Sequence, residues 1–269
     1  MNKQHTVTVR RKKAREFSRI LTWLLVLLPF ILFAQDRFSS LSTYFAETPA
    51  LYWSGCRYTV QERSNRWIWG VATVGTVLAF QVDASVQDYA QEHGLLPERW
   101  ARFGDNWGGG WAYTFLYPTV FVTSRIGGDL WSTTARKLEY TSFTLGTTAT
   151  LTSFLKKVVG RERPNHRGYR SFPSGHTSGS FAFAGTIDEL YGHGWGSLAY
   201  SVAVLVGISR IHDNKHYLSD VLFGAALGTT IARGFADAFQ TEKSKSSGHV
   251  VDFLSTGDKI LFRFTIPLD

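Results

Sequence analysis

Two stretches decide the architecture: KKVVGRERPNHRGYRSFPSGH (156–176) and SRIHDNKHYLSDVLFGAALG (209–228). Each is a polar, charged passage joined to apolar runs of helical character, so its charged groups stand at helix ends. Outward from them, 112–126 and 129–159 read as two helices, the second long and rich in Thr and Leu. Segments near 174–191, 195–209 and 216–238 read as three more. Upstream, WIWGVATVGTVLAF begins at Trp67 and passes into the more amphipathic DASVQDYAQEH. DNWGGGW (105–111), with three consecutive glycines, reads as a loop. Runs of about 10–14 apolar residues are typical of buried core helices rather than of spans. The expected fold class is all-α, a bundle of about six helices over residues 65–240.

The chemistry sits in three clusters. Lys156, Arg163 and Arg210 stand among apolar helices, where a permanent charge is costly without a partner. Few acids lie near them in sequence. A dianionic ligand would supply the missing charge, and arginine matches phosphate oxygens as a bidentate fork. Pro173-Ser174-Gly175-His176 precedes an apolar helical run. A helix start of this kind offers free N–H groups and a positive dipole end to an anion. Gly175 lets an oxygen approach the backbone closely, and Ser174 adds a hydroxyl. His216 and Asp220 are four apart and share a helical face. A carboxylate on one imidazole nitrogen fixes the tautomer and leaves the other nitrogen free to attack.

At these identities and spacings the chain resembles the type 2 phosphatidic acid phosphatase superfamily. The pattern of that superfamily is K-x6-RP, then PSGH, then SR-x5-H-x3-D, and all three blocks stand here without substitution over about residues 140–235. It includes acid phosphatases, lipid phosphate phosphatases and vanadium haloperoxidases, so the resemblance implies their helical fold. It implies that Lys156, Arg163 and Arg210 hold the phosphate, with Ser174 and the Gly175 backbone binding its oxygens. It implies that His216 is the nucleophile, that Asp220 orients it, and that His176 is the general acid. Three cations and a helix N-terminus stabilise phosphoryl transfer without a metal, so no metal and no cofactor are expected. His212 and Asp213 occupy no motif position and read as loop residues. His166 reads as a solvated loop residue, and His193 sits in YGHGWG, which reads as a turn.

The termini carry other information. Residues 1–19 hold seven basic side chains against Glu16, a net of +6, which leaves +2 of the chain's +8 for the remaining 250 residues. A near-neutral domain offers no broad nucleic-acid surface. The basic stretch leads into ILTWLLVLLPFILFA (20–34), so residues 1–35 read as a secretory signal peptide or signal anchor. Residues 36–64 are mixed and polar, a loop-rich connection. Residues 241–269 read as a linker followed by a β-hairpin. The lone Cys56 excludes an intramolecular disulfide. An exported catalytic domain and an aromatic share of 15% point to membrane contact in the bacterial envelope, with the domain periplasmic or held at the inner membrane.

The expected function is therefore metal-independent hydrolysis of phosphomonoesters or diphosphates of envelope lipids, through a phosphohistidine. The partner is a phosphorylated lipid or a small phosphoester. The alternatives are a broad-specificity periplasmic acid phosphatase, a lipid phosphotransferase, a vanadium haloperoxidase with vanadate in the anion pocket, and a non-catalytic phospholipid-binding protein.

Overall fold

The computed structural model describes residues 38–246, 250–256 and 259–265, with side chains from 48 to 241; the expected signal or anchor segment, 1–35, lies outside the described residues. The helices are α1 (Phe38–Gln61), α2 (Arg63–His93), α3 (Glu98–Asn106), α4 (Ala112–Ile126), α5 (Trp131–Val159), α6 (Gly175–Tyr191), α7 (His193–His212) and α8 (Leu218–Ser246). After α8, β1 (Val250–Thr256) pairs antiparallel with β2 (Lys259–Thr265).

Leu227, Ile231 and Phe235 are four residues apart, so they form one face of α8. All three are buried, packed with Tyr140 of α5. A second apolar cluster joins Leu116 and Val120 of α4 to Leu138 and Leu145 of α5 and Phe183 of α6. Helix α8 touches α1, α2, α5 and α6, and so forms the centre of the bundle. It packs closest on α6. A Cβ on Gly228 would overlap the Ser178 carbonyl oxygen and the Ala182 amide, so only glycine allows this approach.

Helix α5 buries threonines as well as leucines. Thr141, Thr144, Thr148 and Thr152 fall on one face and are buried. Thr141 and Thr148 donate to the carbonyls one turn back, at 2.8 and 2.7 Å. Thr152 bonds to Ser178 Oγ on α6 at 2.9 Å. Local backbone bonding of this kind satisfies the Thr141 and Thr148 hydroxyls, while Thr144 Oγ1 has no partner, and the small side chains line a close helix–helix contact.

Two expectations change. Residues 36–64 are not a loop-rich connection: α1 fills most of that span and packs on α8, where Gly55 lies against the Phe235 ring. Its polar residues misled because the buried part of α1 is a narrow stripe containing Leu51 and Thr59. The segment 107–111 is a wound turn joining α3 to α4, kinked at Gly110, whose φ of 145° is not helical, rather than an open loop. Whether the outer face of the bundle meets water or lipid is open in the sequence; by length and composition α2 and α7 are each apolar enough to cross a membrane. Helix α4 coincides with the expected 112–126 helix, and α5, α6 and α7 begin or end within three residues of the expected bounds.

Candidate active site

The last turns of α5 and α7 and the first turns of α6 and α8 meet, and these turns and the connections between them carry the three clusters. Ser174 caps α6: its Oγ accepts from the Thr177 hydroxyl at 2.9 Å and faces the Thr177 amide at 3.4 Å. Its own N–H donates to the Asp220 carbonyl at 3.0 Å, which ties α6 to α8. The His216 N–H donates to the Arg210 carbonyl at 3.2 Å. Backbone bonds thus link the two histidine-bearing segments.

His216 is buried, with Nδ1 at 3.5 Å from Asp220 Oδ2, an ion-pair distance rather than a formed hydrogen bond. Nε2 is the nitrogen left to face a substrate. Burial first, and the charges of Lys156 and Arg163, outweigh the upward pull of Asp220 and hold the His216 imidazolium down at about 4. His216 is therefore a neutral base at pH 7.

Lys156 Nζ donates to the Arg170 and Ser171 carbonyls at 2.8 and 3.2 Å. Two of its three protons are committed and the third is available to a ligand. The side chain also lies beside Gly175, where a built Cβ would stand 3.6 Å from Lys156 Cε. Among the described residues neither Lys156 nor Arg163 has a carboxylate within ion-pair distance. The charge-deficit argument holds for these two cations.

It fails for Arg210. This side chain is 0% exposed, yet it is paired twice: Nη2 with Asp213 at 2.9 Å, and Nη1 with Asp105. Its Nε and Nη2 also donate to Ser209 Oγ at 3.1 and 2.9 Å. Counting protons, one Nη1–H remains for a ligand. Asp213 is accordingly a partner of a site residue rather than a plain loop residue. His212 has a structural place, its Nδ1 accepting from the Leu95 amide at 3.1 Å. His166 and His193 are exposed, each beside an acid.

Asp105 was not legible as a site residue. It also stands 3.4 Å from His176 Nε2 and 3.1 Å from Lys215 Nζ. The His176 contact first, then Arg210 and Lys215, hold its carboxyl well below the usual range despite partial burial. Reciprocally, burial pushes His176 down, Asp105 pulls it up, and Arg210 and Lys215 push it down. The triple glycine has a use here. A Cβ on Gly108 would stand 2.7 Å from His176 Cβ, so the wound turn lies directly on the imidazole.

Arg161 was missed too. Its Nη1 donates to Asp220 Oδ1 at 2.8 Å and to Ser219 Oγ at 2.6 Å, and its Nη2 pairs with Asp83 Oδ2 at 2.8 Å. Arg161 occupies a free position of the K-x6-R block, and Asp83 lies well over a hundred residues away from Asp220; no spacing links them. One clue was available, since Asp83 is an acid in a mostly apolar helix.

Residues 138–244 match the sequence profile of the PAP2 superfamily. A lipid A 1-phosphatase of Porphyromonas gingivalis is 48% identical over 79 residues, which cover 28% of this chain and 18% of that protein. A lipid A 1-phosphatase of Rhizobium johnstonii is 27% identical over 208 residues, covering 67% of this chain and 78% of that one. Lipid phosphate phosphatase 2 of Arabidopsis thaliana is 32% identical over 134 residues, covering 34% of this chain and 46% of that one. Two of these three alignments therefore span less than half of the relative's own length.

Proposed function

We propose that this chain, which belongs to the PAP2 superfamily, removes phosphate from a phosphorylated lipid of the bacterial envelope through a phosphohistidine at His216. The observation that carries this reading is the pairing of a buried, neutral His216 with two cations, Lys156 and Arg163, that have no carboxylate of their own among the described residues. A phosphate dianion completes that arrangement.

The proposed steps use the groups that the site brings together. Lys156, Arg163, the remaining Arg210 N–H, Ser174 and the Gly175 backbone hold the phosphate oxygens, at the positive end of α6. His216 Nε2 attacks phosphorus as the bond to the leaving oxygen breaks. His176 gives its proton to that oxygen. Asp220 stabilises the charge that grows on the His216 ring. Water then attacks the phosphohistidine, yields its proton to His176, and the P–N bond breaks to release inorganic phosphate. Every charge that moves is matched by a protein group, so the reaction needs no metal.

A lipid substrate is supported by the outer surface of the bundle. Trp67, Val71, Val74 and Leu78 of α2 are exposed, as are Phe154 and Val158 of α5 and Trp195 and Leu198 of α7. Large apolar surfaces of this kind mark membrane or partner contact, and α2 and α7 have the length and composition to span. The basic stretch and apolar run within residues 1–35 support export of the catalytic domain. The two lipid A 1-phosphatases among the relatives make lipid A the first substrate to test.

The test is phosphate release by purified protein from lipid A, phosphatidate, an isoprenoid diphosphate and a soluble monoester. The expected outcome is a higher kcat/KM for lipids, inhibition by vanadate and indifference to chelators. Loss of activity with a chelator, or equal kcat/KM for the soluble ester, would overturn the reading.

The Asp105 contact gives a pH prediction. Protonated His176 is the active acid, so kcat/KM falls as pH rises through its pKa. Asp105→Asn removes the charge that pulls His176 up and leaves Arg210 and Lys215 pushing it down. The alkaline limb of kcat/KM is expected to move to lower pH by about one unit. Substrate ionisation is common to both proteins and drops out of the comparison.

A further inference from the structure

Asp220 is 0% exposed and its carboxylate is heavily used before His216 is considered. Oδ2 accepts from the Ser171 hydroxyl at 2.5 Å and from the Tyr217 amide at 2.9 Å. Oδ1 accepts from Arg161 at 2.8 Å. Arg161 lies between two rings, its guanidinium carbon 4.6 Å from the Phe80 centroid and 4.0 Å from that of Tyr217. Its other arm reaches Asp83, which is 3% exposed and also accepts from the Ser219 amide and hydroxyl at 3.0 and 2.5 Å. A row of alternating charge thus runs from α2 into the site: Asp83, Arg161, Asp220, His216.

We propose that Asp83 and Arg161 are positioning residues for the His216 nucleophile, Arg161 aiming the Asp220 carboxylate and Asp83 offsetting the charge that Arg161 brings. The inference rests on the role of His216 proposed above. The physics concerns charge in a buried place. Arg161 alone with Asp220 would make a neutral pair and spend the negative charge that His216 needs when its ring becomes cationic. With Asp83 on the other arm, the three groups sum to −1, and the growing imidazolium brings the row to zero. A buried acid on an apolar helix also needs a reason to persist, and pairing into a functional row supplies one.

The other charges facing His216 are Lys156 from α5 and Arg163 from the segment that follows it, both repulsive to an imidazolium. Neither touches Asp83. The two positioning residues can therefore be changed without removing a phosphate ligand.

The experiment is a kcat/KM–pH profile on full-length protein with Asp83→Asn and Arg161→Gln, beside wild type and His216→Ala. Protonation of His216 removes the nucleophile, so its pKa sets the acidic limb. Asp83→Asn takes away negative charge and should move that limb to lower pH. Arg161→Gln takes away positive charge and should move it to higher pH. Shifts of up to about one unit are expected for a charge that acts on His216 from the far side of Asp220. In both variants kcat should fall by about tenfold to a hundredfold, with KM within about twofold, since the phosphate ligands are intact. A role confined to folding would lower the yield of active protein without moving the limb. Limbs that stay in place, or that move in the same direction, would overturn the inference. Turnover that survives His216→Ala would instead overturn the reading on which it rests. Arg161→Lys keeps the charge but loses the fork; should Arg161→Gln fail to fold, a limb within a few tenths of a unit of wild type but a reduced kcat is expected of Arg161→Lys, and an unchanged kcat would count against the proposal.

Discussion

Replacing His216 with alanine is expected to lower phosphate release by a factor on the order of 10⁵, for every substrate alike. No other group in the site can take over as nucleophile. His176 is held on the Asp105 side, with its Nε2 at 3.4 Å from that carboxylate, and Lys156 is a cation fixed by two carbonyls. Binding should survive. Lys156, Arg163 and Ser174 do not depend on the imidazole for their positions, so the dissociation constant for vanadate or inorganic phosphate should stay within about tenfold of wild type. Titration calorimetry checks the second half and a phosphate-release assay the first. Loss of both together would point to misfolding around the empty ring site rather than to chemistry. His216→Gln, which fills more of that volume, separates the two.

Replacing His176 with alanine should cost about 10²–10⁴ in kcat for a substrate with an alkoxide or sugar leaving group. The same substitution should cost far less with 4-nitrophenyl phosphate, whose phenolate leaves without a proton. His216→Ala shows no such dependence on leaving group, and the contrast assigns the two histidines. Equal losses on both substrate classes would mean that His176 acts on phosphate binding and not on the leaving oxygen. Gly108 shapes this result. Because the wound turn lies directly on the His176 side chain, the ring is held from behind, and its protonation is tuned from one side by Asp105.

The parts of this candidate site that are legible in the sequence are those with a local spacing. His216 and Asp220 are one helical turn apart, and Ser174 must precede α6 to cap it. Lys156 and Arg163 bracket the end of α5. The missed residues are those brought in by tertiary packing. Asp105 reaches Arg210 from α3, and Asp83 reaches Arg161 from α2; in each pair the partners are far apart in the chain, and either residue alone reads as an ordinary surface or helix-end charge. Arg210 shows the converse error. Its acids are Asp213, three residues away, and Asp105 on α3, and no spacing marks either as its partner. The apolar helices were placed well where amphipathic pattern and breakers agree, as at α4. Helix α1 was missed because its buried stripe mixes Leu51 with Thr59 and the glycine that meets Phe235, a pattern set by close packing rather than by hydrophobicity.

The central claim is that phosphorus becomes bonded to His216. The direct measurement is rapid quenching of the enzyme with phosphorus-32-labelled lipid substrate into alkali, where phosphohistidine survives, followed by peptide mapping. Label is expected on the peptide that carries His216, appearing before phosphate is released and absent from His216→Ala. Turnover with no labelled protein at any time, or label on a different residue, would contradict it.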